Sequence, residues 1–73
     1  MKFALLDTVV LNHDLPEHGL RAGDVGTVVE IYRAGALEVE FLRASGETKA
    51  LVTLEPTDLR PVADGEVLAV RQP

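Results

Sequence analysis

Central to the chain is the segment Gly23-Asp24-Val25-Gly26-Thr27-Val28-Val29-Glu30-Ile31-Tyr32. Its β-branched and aromatic residues favour a strand, because such side chains fit a pleated, half-buried surface. Gly23-Asp24 is typical of a turn and places the start of the strand near Val25. Gly26 is unfavourable inside a strand unless the backbone requires it, so it indicates a bulge, a sharp bend or a close backbone approach. We interpret the segment as the central, bent strand of a small β-barrel, and we assign Gly26 a geometric role.

Four further strands are predicted around this one, which itself covers residues 25–32. They cover residues 7–11, 37–41, 48–54 and 60–62. The third strand alternates strictly, which points Leu37, Val39 and Phe41 to the core and Glu38 and Glu40 to water; in the fourth strand the same reading assigns Ala50, Val52 and Leu54 to the core. Short glycine-containing turns between consecutive strands favour an antiparallel meander. Pro56 cannot continue the fourth strand, so a single 3₁₀ turn is expected before the fifth. The predicted fold class is all-β, with five antiparallel strands forming a partly open barrel.

The length of 73 residues predicts one domain, with the barrel in residues 1–62 and a tail in residues 63–73. Residues 66–71 are apolar enough to require burial, either as an extra edge strand or against another subunit. A chain this short buries only about 60% of the surface that its unfolded form exposes. It has no cysteine to form a disulfide or a thiolate zinc site. Self-association into a homo-oligomer is therefore a possible source of stability.

The charge balance restricts the classes of partner. Twelve acidic and seven basic residues give a net charge of −5, whereas nucleic-acid binding takes its energy from Lys and Arg that neutralise phosphates. The balance instead fits a partner with a basic face. No run of about 20 apolar residues could cross a membrane. The first six residues resemble the start of a secretory signal, but Asp7 interrupts the apolar run, so we expect a cytoplasmic protein.

The connector between the first two strands, residues 12–22, is long for so small a domain, and long loops are more often functional than short ones. Leu15 and Leu20 are expected to pack inward and fix it in place. The connector, the end of the second strand and the start of the third strand supply our candidate partner-binding residues. These are Leu15, Pro16, His18 and Arg21 in the connector, Tyr32 beside it at the mouth of the barrel, and the acidic pair Glu38 and Glu40.

Neither a metal site nor a catalytic site is predicted. The segment from His13 to His18 is the only cluster with metal-ligand side chains, but Pro16 bends it, and a spacing of five residues fits no rigid face of a helix or strand. We interpret both histidines as exposed loop residues and expect no cofactor. Ser45 lies in a tight turn far along the chain from both, and no phosphate-binding Gly-Lys-Ser/Thr motif occurs. A fold of this size also has little room for a ligand pocket of about 300 Å³ or more.

Several segments together resemble a family of small bacterial proteins that is defined as a domain of unknown function. The resemblance covers roughly residues 4–62. It is carried by residues 7–11, by Leu15-Pro16-Glu17-His18-Gly19-Leu20, by residues 23–30, by Glu38-Val39-Glu40-Phe41 and by Asp58-Leu59-Arg60-Pro61-Val62. It implies an SH3-like barrel and an accessory protein, sometimes encoded beside a toxin, with an antitoxin-like or immunity-like role. No catalytic residue is carried over.

A shorter resemblance points to a second class of protein. Gly23-Asp24-Val25-Gly26-Thr27-Val28 is similar to the KOW-type element of ribosomal and transcription-elongation proteins, where such a segment also opens a bent strand. This resemblance implies an RNA- or ribosome-associated domain. Glu30, Glu38, Glu40 and Glu47 stand where such a domain would need basic residues. The sequence therefore predicts a non-catalytic protein-interaction module whose partner is a product of a neighbouring gene, with the KOW-like domain as the alternative.

Overall fold

Five antiparallel strands make up a single sheet in the computed structural model, which describes residues 3–69. The elements are β1 (Thr8–Leu11), a 3₁₀ turn (Pro16–His18), β2 (Val25–Ile31), β3 (Leu37–Leu42), β4 (Thr48–Leu54), a second 3₁₀ turn (Pro56–Asp58) and β5 (Leu59–Pro61). The strand order is β4-β3-β2-β1-β5, so β2 is the middle strand. The predicted all-β class, the five strands and the turn at Pro56 are confirmed. Neither 3₁₀ turn of the described residues is long and apolar enough to cross a membrane.

One face of the sheet forms the hydrophobic core. Its buried residues come from every strand and from the first connector: Val9, Leu11, Leu20, Val28, Leu37, Val39, Phe41, Val52, Leu54 and Leu59. Phe41 is the largest of the fully buried side chains. The predicted alternation in β3 is confirmed, because Leu37, Val39 and Phe41 are buried whereas the residues between them are not. All five strands share one core, so the sheet must curl around it.

Gly26 lies in β2 where atoms of β3 pack directly against its backbone. A Cβ atom at this position would lie 2.6 Å from Val39 Cγ1, 3.0 Å from Phe41 Cε1 and 3.1 Å from the carbonyl oxygen of Glu40. Of the three roles that the sequence allowed for Gly26, the structure therefore selects close approach. The irregularity in β2 comes later, since the pairing with β3 shifts by one residue between Val28 and Glu30 and leaves Val29 as a bulge.

Hydrogen bonds do not close the sheet into a barrel. Within residues 3–69, β4 pairs with β3 and β5 pairs with β1, and the two edge strands do not pair with each other. The structure is therefore a curled, open sheet. The two edges differ, because β5 has three residues and ends in Pro61, whereas β4 has seven.

The tail folds back on β5 without becoming a strand. The Arg60 guanidinium donates two hydrogen bonds to the Glu66 carboxylate, at 2.9 and 2.7 Å, and the amide of Ala63 donates a third at 2.9 Å. The bond from Arg60 is the main reason why the pKa of Glu66 is lowered to about 2. Residues 62–69 form no strand, and Val67 is 92% exposed. The possible edge strand over residues 66–71 is thus absent from its described part, and residues 70 and 71 lie outside the described residues.

Candidate partner-binding surfaces

The first connector is an ordered loop. Leu15 and Leu20 form an isolated antiparallel bridge across the 3₁₀ turn. Leu20 is buried in the core and Leu15 packs against it, as the sequence predicted. The end of the loop is held by two carboxylates, because Asp14 accepts a hydrogen bond from the amide of Ala22 and Asp24 accepts one from the amide of Arg21, both at 2.9 Å. The connector therefore presents a fixed surface.

A second set of contacts joins the start of the connector to the 3₁₀ turn before β5. The amide of Asn12 donates to the carbonyl oxygen of Asp58 at 2.8 Å, and its side chain donates to the carbonyl oxygen of Thr57 at 3.3 Å. His13 Nε2 lies 2.6 Å from Asp58 Oδ1. The other carboxylate oxygen of Asp58 accepts from the amide of Glu55 at 2.8 Å. His13 is thus exposed, as predicted, but the sequence did not predict its ion pair with Asp58.

This ion pair makes stability depend on pH. The pKa of His13 is raised, chiefly by its hydrogen bond to Asp58 and then by its bond to the Asp14 carbonyl, and the hydrogen bond from His13 lowers the pKa of Asp58. A raised histidine pKa stabilises the fold fully below the unfolded value of 6.5 and loses that contribution as pH rises through the folded value. A lowered aspartate pKa stabilises the fold above 3.8 and loses that contribution as pH falls through the folded value. The ion pair therefore contributes most between these two values.

We expect the substitution His13→Gln to lower Tm most at about pH 5, with the difference from the wild type shrinking as pH rises above 6.5. Thermal unfolding followed by circular dichroism across this range measures both proteins. The matched control is His18→Gln, because His18 is the other histidine of the connector and forms no ion pair within residues 3–69. A Tm difference for His13→Gln that does not vary with pH would contradict the assignment.

The outer surface of the connector encloses a shallow cavity of about 240 Å³. It is lined by Asp14, Pro16, Gly19, Leu20 and Arg21. Two of the predicted partner-binding residues, Pro16 and Arg21, thus come together, and His18 lies exposed on the same 3₁₀ turn. Leu15 is half-buried and serves the core. The volume is below the usual range for small-molecule sites, about 300–1,000 Å³.

The side of the sheet that faces away from the hydrophobic core carries three glutamates, Glu30, Glu38 and Glu40, which we call the acidic face. Glu30 and Glu38 stand directly opposite each other on β2 and β3. Thr53 donates a hydrogen bond to Glu38 at 2.5 Å, and Thr48 donates one to Glu40 at 2.6 Å. No Lys or Arg of residues 3–69 forms an ion pair with any of the three. Glu38 and Glu40 thus face outward as predicted, with hydroxyl partners that the sequence did not indicate.

Tyr32 belongs to the acidic face. Partial burial raises the pKa of its hydroxyl, and the negative charges of Glu38 and Glu30 and a side-chain hydrogen bond to Glu38 raise it further. Tyr32 follows the last residue of β2, whereas the connector precedes its first residue. Tyr32 and the connector thus adjoin opposite ends of β2, and the predicted place of Tyr32 beside the connector stays a prediction. The predicted residues form two surfaces, one at the connector and one on the outer side of the sheet.

The outer edge of β4, which pairs with no second strand within residues 3–69, adjoins the acidic face. Leu51 stands opposite Glu40 in the register of β3 and β4, and it is 54% exposed. The alternation that assigned Val52 and Leu54 to the core also places Leu51 outside, which is the signal that sequence reasoning did not use. In this region an exposed leucine, two carboxylates and an unpaired strand edge lie together.

The described residues contain no group of three His, Asp or Glu side chains that could hold a metal ion. In the comparisons with known proteins, one family model matches residues 5–61, and its description is Domain of unknown function (DUF4926). Comparison with curated proteins gives no match, and comparison with solved structures gives none.

Proposed function

The chain belongs to the family described as Domain of unknown function (DUF4926), and we propose that it is a non-catalytic module that binds a basic protein partner on its acidic face. The partner we propose is the product of a neighbouring gene in a bacterium. In that case the chain acts in the cytoplasm as an antitoxin-like or immunity-like accessory protein. Its proposed role is to cover a positively charged surface of the partner.

The observation that carries this proposal is the pair Glu30 and Glu38, which has no ion-pair partner among residues 3–69. Like charges directly opposite each other on neighbouring strands destabilise a sheet. The bulge at Val29 creates this pair, because the register before the bulge, continued without a shift, would place Glu38 opposite Val29. A basic partner would convert this repulsion into attraction, and it would be drawn toward a chain whose net charge is −5. The same charges repel phosphates, which argues against the KOW-like alternative.

Removal of one charge from the acidic face is expected to raise stability and to weaken partner binding. We expect Glu30→Gln to raise the free energy of unfolding by about 0.3 kcal/mol, because it removes a like-charge repulsion at an exposed site. For a domain of this size that raises Tm by about 1–2 °C. The same variant is expected to bind the partner less tightly. Denaturant unfolding and partner titration of one preparation measure both effects.

The control for that prediction is Glu17→Gln, which removes the same charge from the exposed 3₁₀ turn of the connector. It is expected to leave both stability and partner binding nearly unchanged. A Glu30→Gln protein that is less stable than the wild type would contradict the assigned repulsion. A protein that is more stable and binds equally well would remove Glu30 from the binding surface.

A pull-down from the native host separates the proposed function from its alternative. The tagged wild type is expected to co-purify with a basic protein, and Glu38→Gln/Glu40→Gln is expected to recover much less of it. Glutamine keeps an oxygen that can accept the hydrogen bonds from Thr53 and Thr48, so the substitution removes charge and retains the strand contacts. Retention on heparin, together with a salt-dependent shift of RNA by the wild type, would instead support the KOW-like domain.

A further inference from the structure

We propose that β4 is the docking strand, and that the partner adds a basic, extended segment to its free edge. The aliphatic stems of the partner's Lys or Arg side chains cover Leu51, and their charged ends reach Glu38 and Glu40. This inference rests on the proposed function and specifies its mode of binding: strand addition, with hydrogen bonds from the backbone and selectivity from charge.

The open part of the edge is the segment of residues 50–54. Among residues 3–69, β4 pairs with β3 alone, and every second residue of an edge strand directs its N–H and C=O groups away from the sheet. At the start of β4 the register with β3 shifts between Ala50 and Thr48 and leaves Lys49 as a bulge. The Lys49 ammonium lies beside Gly19 of the connector. A bulge and a lysine both hinder strand addition, so the start of β4 is protected against an added strand, whereas residues 50–54 remain open to one.

The second edge does not offer this possibility. β5 has only three residues, and Pro61 has no N–H group to donate. Arg60 of the same strand is already bound to Glu66 of the tail. An added strand therefore has one suitable position, beside β4.

The side chains around that position define the chemistry of the added segment. Neighbouring strands lie about 4.8 Å apart, so an added strand would lie about 10 Å from β3. A Lys or Arg on its outer face would extend over Leu51 toward Glu40 and bury its stem against the leucine. Thr53 holds the Glu38 carboxylate beside β4, within reach of a second basic side chain. The site thus fits a segment in which basic residues alternate with others.

Charge also argues against a second copy of this chain as the added strand. Lys49 is the only charged residue of β4, and it lies in the protected part of the strand. Two β4 edges joined together would bring two acidic faces toward each other, on two chains that each carry a net charge of −5. A basic partner strand would neutralise this face, whereas a second copy would double its charge.

The test uses an eight-residue peptide of alternating lysine and valine, acetylated and amidated, and a second peptide of the same sequence that is N-methylated at every residue. The methylated peptide keeps the charges and cannot donate backbone hydrogen bonds. Fluorescence anisotropy measures the Kd of each peptide for the full chain. Amide hydrogen exchange followed by NMR reports which strand is covered.

We expect the unmethylated peptide to bind and to slow exchange of the outward amides in residues 50–54, and the methylated peptide to bind at least about tenfold more weakly. Glu38→Gln/Glu40→Gln is expected to weaken binding by about three- to tenfold. Leu51→Lys is expected to weaken it at least as much. Val67→Lys adds the same charge at an exposed position of the tail and is expected to change Kd less than about twofold.

Other results would overturn the proposal in distinguishable ways. The two peptides could bind equally well, more weakly to Glu38→Gln/Glu40→Gln, and without slowing amide exchange in β4. That result would overturn strand addition and leave the acidic face as the binding surface. Slowed amide exchange in β4, with a Kd that Glu38→Gln/Glu40→Gln does not change, would overturn the role of charge in both proposals. Binding of neither peptide would overturn both proposals. Concentration-dependent dimers of the chain alone, with β4 protected, would identify a second copy as the added strand.

Discussion

Replacement of Phe41 by alanine is expected to remove about 3–5 kcal/mol from the free energy of unfolding. Phe41 is the largest fully buried side chain and lies in the core cluster shared by all five strands. A domain of 73 residues has a total stability of roughly 4–11 kcal/mol at 0.05–0.15 kcal/mol per residue. One substitution therefore removes a large part of the whole, and we expect Phe41→Ala to be partly or fully unfolded at 37 °C.

The neighbouring residue provides the control. Leu42 belongs to the same strand but is 40% exposed, so Leu42→Ala creates no buried cavity and is expected to cost less than about 1 kcal/mol. Guanidinium unfolding followed by circular dichroism measures both variants, and similar m-values would show that the same surface is exposed. Equal losses for the two variants would contradict the placement of the core on one face of the sheet.

Introduction of valine at Gly26 is expected to cost about 3 kcal/mol, at the upper end of the range for overpacked cores. The added Cβ would meet Val39, Phe41 and a backbone carbonyl, all within 3.1 Å. Val39 and Phe41 are fully buried, so neither can move aside cheaply. Gly26 has no left-handed backbone angle, so the cost comes from steric overlap alone. The free energy of unfolding in guanidinium measures it.

A substitution at a second glycine and a double substitution test whether steric overlap is the cause of the loss at Gly26. Gly46 has a φ of +94° and open space around it, so Gly46→Ala is expected to cost about 1–2 kcal/mol from backbone strain without overlap. Val39→Ala removes the nearest atom, so Gly26→Ala combined with Val39→Ala is expected to be more stable than the sum of the two single losses implies. Strict additivity would show that the contact with Val39 does not set the requirement for glycine.

Periodicity in the sequence predicted most of the fold. The alternation in β3 assigned its buried and exposed residues correctly, because each strand has one side on the core. Pro56 ended β4 as expected, and the two short glycine-containing turns joined neighbouring strands, β2 to β3 and β3 to β4. The bulge at Val29 left no signal, since valine is a good strand residue at any position. That bulge nonetheless determines which residue of β2 stands opposite Glu38.

Contacts between distant residues account for what the sequence did not predict. The ion pair between His13 and Asp58 joins residues 45 positions apart, and no local pattern relates them. The sequence likewise gives no local signal that links Tyr32 to Glu38, which lies on the neighbouring strand. In the tail, the bond between Arg60 and Glu66 draws the chain back to β5. Apolar composition alone could not distinguish this turn from an additional strand.

Size-exclusion chromatography of the chain co-expressed with the product of the neighbouring gene tests whether the acidic face binds a basic partner. We expect the wild type and Glu17→Gln to elute in a complex with that protein. The complex of Glu38→Gln/Glu40→Gln is expected to dissociate on the column at a salt concentration that the wild-type complex withstands. Elution of the wild type alone, or an equally stable complex with the doubly substituted chain, would contradict the claim that the acidic face binds a basic partner.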